Sequence, residues 1–280
     1  MTALAPFGTR LRHAMDTRGP LCVGIDPHGS LLTDWGLNDD IAGLERFTRT
    51  VVDALAGQVA VLKPQSAFFE RFGSRGTAVL EKAVAEARSA GALVLMDAKR
   101  GDIGSTMGAY AATYLDPASP LFSDAVTLSP YLGFGSLRPA LDAARTAGCG
   151  VFVLALTSNP EGAEVQRATA ADGRSLAGVM LGHIAAENAG AAPLGSVGAV
   201  VGATLGDAGV DLAVNGPLLA PGIGAQGATP ADLPRVFGAA VGQVVPSVSR
   251  GVLRHGPDAG ALRGAAERLA DEVRAAVGGA

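Results

Sequence analysis

Residues 93–103 read Leu-Val-Leu-Met-Asp-Ala-Lys-Arg-Gly-Asp-Ile, an apolar run of four followed by four charges within six residues. A short, continuous apolar run closed by charge and glycine reads as a strand buried on both faces, as in a parallel sheet. The charges behind it then sit at the strand's C-terminal end. Working outward, the same grammar recurs. Residues 21–25 are apolar and end at Asp26, and residues 59–62 are apolar and end at Lys63. Five further runs follow at 125–128, 151–156, 197–201, 218–220 and 244–245. Segments of helical spacing at 41–56, 76–90, 137–147 and 259–277 lie between runs, with Gly or Pro at most junctions. Eight such units in 280 residues average about 35 residues, the size of a βα repeat. The pattern predicts an α/β fold, a single (β/α)₈ TIM barrel over residues 1–280, with an open doubly wound sheet as the alternative. The least regular stretch, 157–196, carries a helical run near 175–188. It occupies the place of a substrate-covering loop after the fifth strand.

Composition narrows the class of function. With 48% hydrophobic and 17% charged residues, the chain is neither a disordered tail nor a disulfide-stapled miniprotein. A net charge of −4 leaves no basic excess to neutralise a phosphate backbone, so no nucleic-acid partner is expected. Cys22 and Cys149 form no CxxC pair, the N-terminus has no apolar signal-peptide core, and no run of 18 apolar residues occurs. These features predict a cytoplasmic protein with no membrane segment.

The basic residues are skewed: only three of 22 are lysine, namely Lys63, Lys82 and Lys99. A lysine that can release a proton offers chemistry that arginine cannot. Lys82 lies in an evident surface helix, whereas Lys63 and Lys99 follow buried runs. In a barrel the C-terminal strand ends form the active face. Asp26, Lys63, Asp97 and Lys99 would therefore share one rim, with Asp97 and Lys99 on the same side of an extended chain. Alternating carboxylates and ammonium groups keep one another ionised. As a purely structural network such a group would be a poor stabiliser. After the seventh run, Pro221-Gly222-Ile223-Gly224-Ala225-Gln226-Gly227 forms a glycine-rich turn that lets backbone approach an anion. Arg250 follows the eighth run, and together they match the usual phosphate site of barrel enzymes. The four histidines are scattered with no HExxH or CxxC context, no GxSxG elbow is present, and the GxGxxG at 222–227 lacks its βαβ unit. His28 is either a satisfied loop histidine or a ligand contact.

The element Asp97-Ala-Lys99-Arg-Gly-Asp102-Ile103 reads D-x-K-x-x-D-I. With Gly24-Ile25-Asp26, Lys63, the glycine-rich turn and Ser249-Arg250-Gly251, it resembles the orotidine 5′-phosphate decarboxylase family from Leu21 to Arg250. The segments KPQSAFFE (63–70) and TSNPEG (157–162) resemble its longer bacterial branch. The resemblance implies a homodimeric barrel with shared active sites that needs no cofactor and no metal, and that converts orotidine 5′-monophosphate to UMP and CO₂. It implies that Lys99 protonates C6, that Asp97 crowds the substrate carboxylate, and that Lys63 holds the array and binds ribose with Asp26. It gives Ser158 the pyrimidine amide, Gln226 and Arg250 with Gly224 and Gly227 the phosphate, and Asp102 and Thr106 to the partner subunit's site. Two alternatives stay open: a Mg-dependent phosphosugar decarboxylase or aldolase of the same superfamily, and a noncatalytic nucleotide-binding barrel.

Overall fold

Strands β1 (Cys22–Ile25), β2 (Val61–Pro64), β3 (Leu93–Arg100), β4 (Ala125–Leu128), β5 (Gly150–Leu156), β6 (Val197–Val201), β7 (Leu218–Pro221) and β8 (Val244–Val248) pair in chain order. They close into a barrel, every pair parallel, with β8 returning to β1. The computed structural model describes residues 4–224 and 227–278. The predicted TIM barrel is the observed one. The predicted helices appear as Ile41–Leu55, Gly73–Ser89, Arg138–Ala147 and Ala259–Gly278. Asp40 caps the first of them by accepting the Gly43 amide, satisfying one of the N–H groups a helix start leaves unpaired.

Strand alternation sorts the residues into lumen and shell. On β3, Leu93 and Leu95 join the inner cluster, whereas Val94 and Met96 pack outward against the helices. Cys22, Val61, Ala125, Phe152, Val200, Leu219 and Val245 complete the inner apolar layer. A helix that the sequence reading did not anticipate, Phe7–Arg18, closes the bottom of the barrel. Its Phe7, Leu11, Ala14 and Met15 follow at spacings of four, three and one residues, and all four join the inner cluster. Phe7 meets Phe152 edge-on, with ring centroids 6.0 Å apart. Arg10 Nη1 donates to buried Asp124 at 2.6 Å, and Asp124 also accepts from Arg88 and the Val94 amide.

Two steps up β2, β3, β4 and β8 from this layer, the lumen turns polar. Val61 is followed inward by Lys63, Leu95 by Asp97, Ala125 by Thr127 and Val245 by Ser247. The apolar floor is complete below, so these polar groups face a mouth at the C-terminal end. The segment after β5 is less irregular than expected: a 3₁₀ turn at Pro160–Gly162 and a short helix at Ala163–Gln166 precede the helix Leu176–Glu187. Among the described residues no helix is long and apolar enough to cross a membrane.

Candidate active site

Several strand ends are displaced from the sequence reading, and the displacement places the chemistry. Lys63 lies within β2 rather than after it, and β3 continues through Asp97 to Arg100. Asp97 (5% exposed) and Lys63 (7% exposed) are therefore buried charges. They persist because they are paired. Asp97 Oδ2 accepts from Lys63 Nζ at 2.8 Å and Gln65 Nε2 at 3.2 Å, and Oδ1 accepts from Lys99 Nζ at 2.5 Å and Thr127 Oγ1 at 2.9 Å. Four donors occupy one carboxylate.

Burial alone would push the Asp97 carboxyl up, but Lys63 and then Lys99 override it and hold the group well below the usual carboxylate range. Burial alone would depress Lys63, but Asp97 and then Asp26 hold it above the ordinary lysine value. At neutral pH Asp97 and Lys63 are therefore both charged. By contrast, burial pushes the thiols of Cys22 and Cys149 up to about 12, so neither supplies a thiolate nucleophile.

The expectation that Asp97 and Lys99 meet by simple alternation needs amendment. Lys99 has φ +47°, a left-handed conformation for a non-glycine residue, and the β3–β4 register breaks between Met96 and Arg100. Its ammonium reaches Asp97 through a bulge, not along an extended strand.

These groups line a cavity of about 480 Å³ with Asp26, His28, Phe68, Ser158, Ser247 and Arg250. Gly24 lies directly under Asp26 and Ser249: a Cβ there would stand 3.0 Å from each. Asp26 Oδ1 and Ser249 Oγ are buried without a hydrogen-bond partner in the protein. An unpartnered buried acceptor is costly unless a ligand completes it. His28 packs against Phe68, ring centroids 4.2 Å apart. Arg250 opens the helix Arg250–Leu253 at the rim. Gly222 and Ile223 of the glycine-rich turn line the cavity. Gly224 (φ +78°) and Gly227 (φ +97°) shape the turn, their own amides bonding to the carbonyls of Ala228 and Gly224. Gln226 lies outside the described residues.

Asp102 and Thr106 do not line this cavity. Asp102 accepts the Ile103 amide at 2.8 Å beyond the end of β3, and Thr106 is exposed on the next helix. Two donors to Asp97, Gln65 and Thr127, were absent from the sequence reading of the site. The signals for them were weak: a polar residue two positions after Lys63, and a lone hydroxyl in the apolar run Ala-Val-Thr-Leu.

A parallel barrel with a hydrogen-bonded Lys–Asp–Lys array and an arginine at its C-terminal mouth defines an enzyme acting on an anionic small molecule. The family model for "Orotidine 5′-phosphate decarboxylase / HUMPS family" matches residues 19–265. Orotidine 5′-phosphate decarboxylase of Streptomyces coelicolor is 74% identical over 98% of this chain and 99% of its own length. A Streptomyces avermitilis crystal structure assigned to the same enzyme is 74% identical, with a TM-score of 0.98 over 99% of this chain and 98% of that one. The structure of Leishmania donovani OMP decarboxylase is 31% identical, with a TM-score of 0.78 over 97% of this chain and 99% of that one. The chain belongs to the orotidine 5′-phosphate decarboxylase family. Its reaction is the decarboxylation of orotidine 5′-monophosphate to uridine 5′-monophosphate in pyrimidine biosynthesis.

Proposed function

We propose that this decarboxylation runs directly on the Lys63–Asp97–Lys99 array, without metal or organic cofactor, with Lys99 as the acid. The observation that carries the reading is Asp97, buried and ionised between two ammonium groups at 2.8 and 2.5 Å. The C6–carboxylate bond breaks, CO₂ leaves, and the electron pair stays on C6 in the plane of the ring. No π-system absorbs that charge, so fixed positive charge must already be in place. Lys99 supplies it, and a proton from Nζ then forms the new C6–H bond. Ionised Asp97 opposes the substrate carboxylate while that group is charged, and the opposition ends as CO₂ forms. Lys63 keeps Asp97 ionised and, with Asp26, binds the ribose hydroxyls, for which the unpartnered Asp26 oxygen is a ready acceptor. Ser158 reads the pyrimidine amide.

Arg250, with Gln226 and the turn bearing Gly224 and Gly227, grips the phosphate. Binding free energy from that remote group is expressed at the transition state. Arg250→Ala is expected to lower kcat/KM about 10–100-fold, the scale of a lost charge-assisted hydrogen bond. Orotidine, which lacks the phosphate, should be almost unaffected. Equal losses with both substrates would remove Arg250 from the grip.

Metal independence rests on the donor set: each Asp97 oxygen already accepts two hydrogen bonds, which leaves little room for a hard cation. Purified protein should consume orotidine 5′-monophosphate, followed by ultraviolet absorbance, at an undiminished rate after exhaustive chelation. Activity lost on chelation and restored by Mg²⁺ would overturn the cofactor-free reading in favour of the phosphosugar-type chemistry.

The working unit in this reading is a homodimer in which Asp102 and Thr106 complete the partner subunit's site. Support comes from their position outside their own cavity and from apolar side chains beside the mouth. Ile103 is 62% exposed, Tyr131 77% and Leu132 54%, a concentration that marks an interaction face. Two unpaired cysteines and a nucleotide-synthesis reaction support a cytoplasmic location. A net charge of −4 supports a small-molecule substrate and no nucleic-acid partner.

A further inference from the structure

Thr127 is the one β4 residue opposite the bulge in β3. Met96 pairs with Val126 and Arg100 with Leu128, so Asp97, Ala98 and Lys99 face Thr127 alone. A left-handed lysine at a break in the ladder persists only where its surroundings over-determine it. The Lys99 amide, released from the ladder, donates to Thr127 Oγ1 at 3.0 Å. The hydroxyl has one proton, and it donates that proton to Asp97 Oδ1 at 2.9 Å. The same Oδ1 accepts from Lys99 Nζ at 2.5 Å. The bonds form a closed ring: from the Lys99 amide through the Thr127 hydroxyl to the Asp97 carboxylate, and back to Lys99 through its ammonium.

We infer that Thr127 is a positioning residue for the proton transfer, fixing the Lys99 backbone and the Asp97 carboxylate through one hydroxyl so that the ammonium points at the reacting carbon. The inference rests on Lys99 being the acid. Thr127 is 1% exposed, so its hydroxyl is not diverted to bulk water. Valine has nearly the same shape and lacks both the acceptor and the donor, whereas serine keeps both. A merely structural role would follow the shape of the side chain, and a positioning role would follow the hydroxyl.

Thr127→Val and Thr127→Ser proteins should be compared by steady-state kinetics and by binding of the product, uridine 5′-monophosphate. For Thr127→Val, kcat should fall at least about a hundredfold, the cost of a small misplacement of a reacting group. KM and product affinity should stay within about threefold, since groups that act only in the transition state carry no ground-state binding. Thr127→Ser should restore kcat to within about threefold of the unsubstituted protein. A Thr127→Val protein with kcat within about fivefold of the original would overturn the inference, as would a Thr127→Ser protein as slow as Thr127→Val. If the valine protein does not fold, Thr127→Cys decides the question, because a thiol donates and accepts weakly. The expected order of kcat is then Ser well above Cys, and equal values overturn the inference. Retained activity in Lys99→Arg would instead strike the assignment of the acid, an outcome separable from any result at Thr127.

Discussion

Lys99→Arg is expected to lower kcat at least about a thousandfold, or roughly 4 kcal/mol of barrier, although the formal charge is kept. Two physical differences drive the loss. A guanidinium stays protonated throughout the working pH range, so it can stabilise a carbanion but hardly protonate one. Its planar fork is also bulkier than the compact ammonium that stands 2.5 Å from Asp97 Oδ1, and it carries its charge in a different place. Steady-state assay of orotidine 5′-monophosphate loss measures the effect. A loss below about tenfold, roughly 1.4 kcal/mol, would show that Lys99 is not the acid. The Lys99→Ala protein adds a second reading, because removing one ammonium leaves buried Asp97 with Lys63 as its single cationic partner. Breaking one contact of a buried ionic group destabilises a fold markedly. Thermal unfolding of both variants separates that effect: the arginine protein keeps a cation near Asp97 and should unfold closer to the original.

The sequence carried the barrel because its strands are nearly continuous apolar runs, and a parallel sheet buried on both faces requires that. It also carried the address of the site. Leu93, Leu95 and Asp97 alternate into the lumen, so a charge two positions after an apolar lumen residue must sit at the mouth. Boundaries were less legible. Pro246 looked like the end of a run at 244–245, yet β8 continues through Ser247 to Val248. Lys63 looked like the first residue after a strand but is inside one. The helix Phe7–Arg18 has an apolar stripe, but charged residues interrupt it, and its role as a floor depends on contacts with strands far along the chain. The donors Gln65 and Thr127 were invisible for a similar reason. What makes them partners of Asp97 is the register of β2, β3 and β4 around the bulge, and the left-handed turn at Lys99 leaves no mark in composition.

Lys99→Ala and Asp102→Ala homodimers are each expected to be nearly inactive, and coexpression of the two chains should restore activity. The expectation is what the family resemblance implies for Asp102, and the course of the chain after β3 fits it. Gly101 passes so close to the neighbouring loop that a Cβ would meet the Ser129 carbonyl at 2.4 Å. β3 ends at Arg100, and Asp102 lies beyond it, outside the cavity that holds Asp97 and Lys99. The next residue, Ile103, presents an exposed apolar side chain, as do Tyr131 and Leu132 after β4. In the shared-site homodimer proposed above, a second copy covering this face receives Asp102 at its own mouth, and two-fold symmetry returns the same residue from its side. In a mixed dimer, one site then carries both defects and the other carries neither. With random pairing, half the dimers are mixed and half of their sites are intact, so activity should recover to roughly a quarter of the original. If Asp102 served its own chain, every site in a mixed dimer would carry one defect. Differently tagged chains, purified through both tags, isolate the mixed dimer and remove the pairing statistics, so that roughly half the original activity per dimer is then expected. Mixed dimers no more active than their parents would reject the shared site and leave the decarboxylation itself untouched.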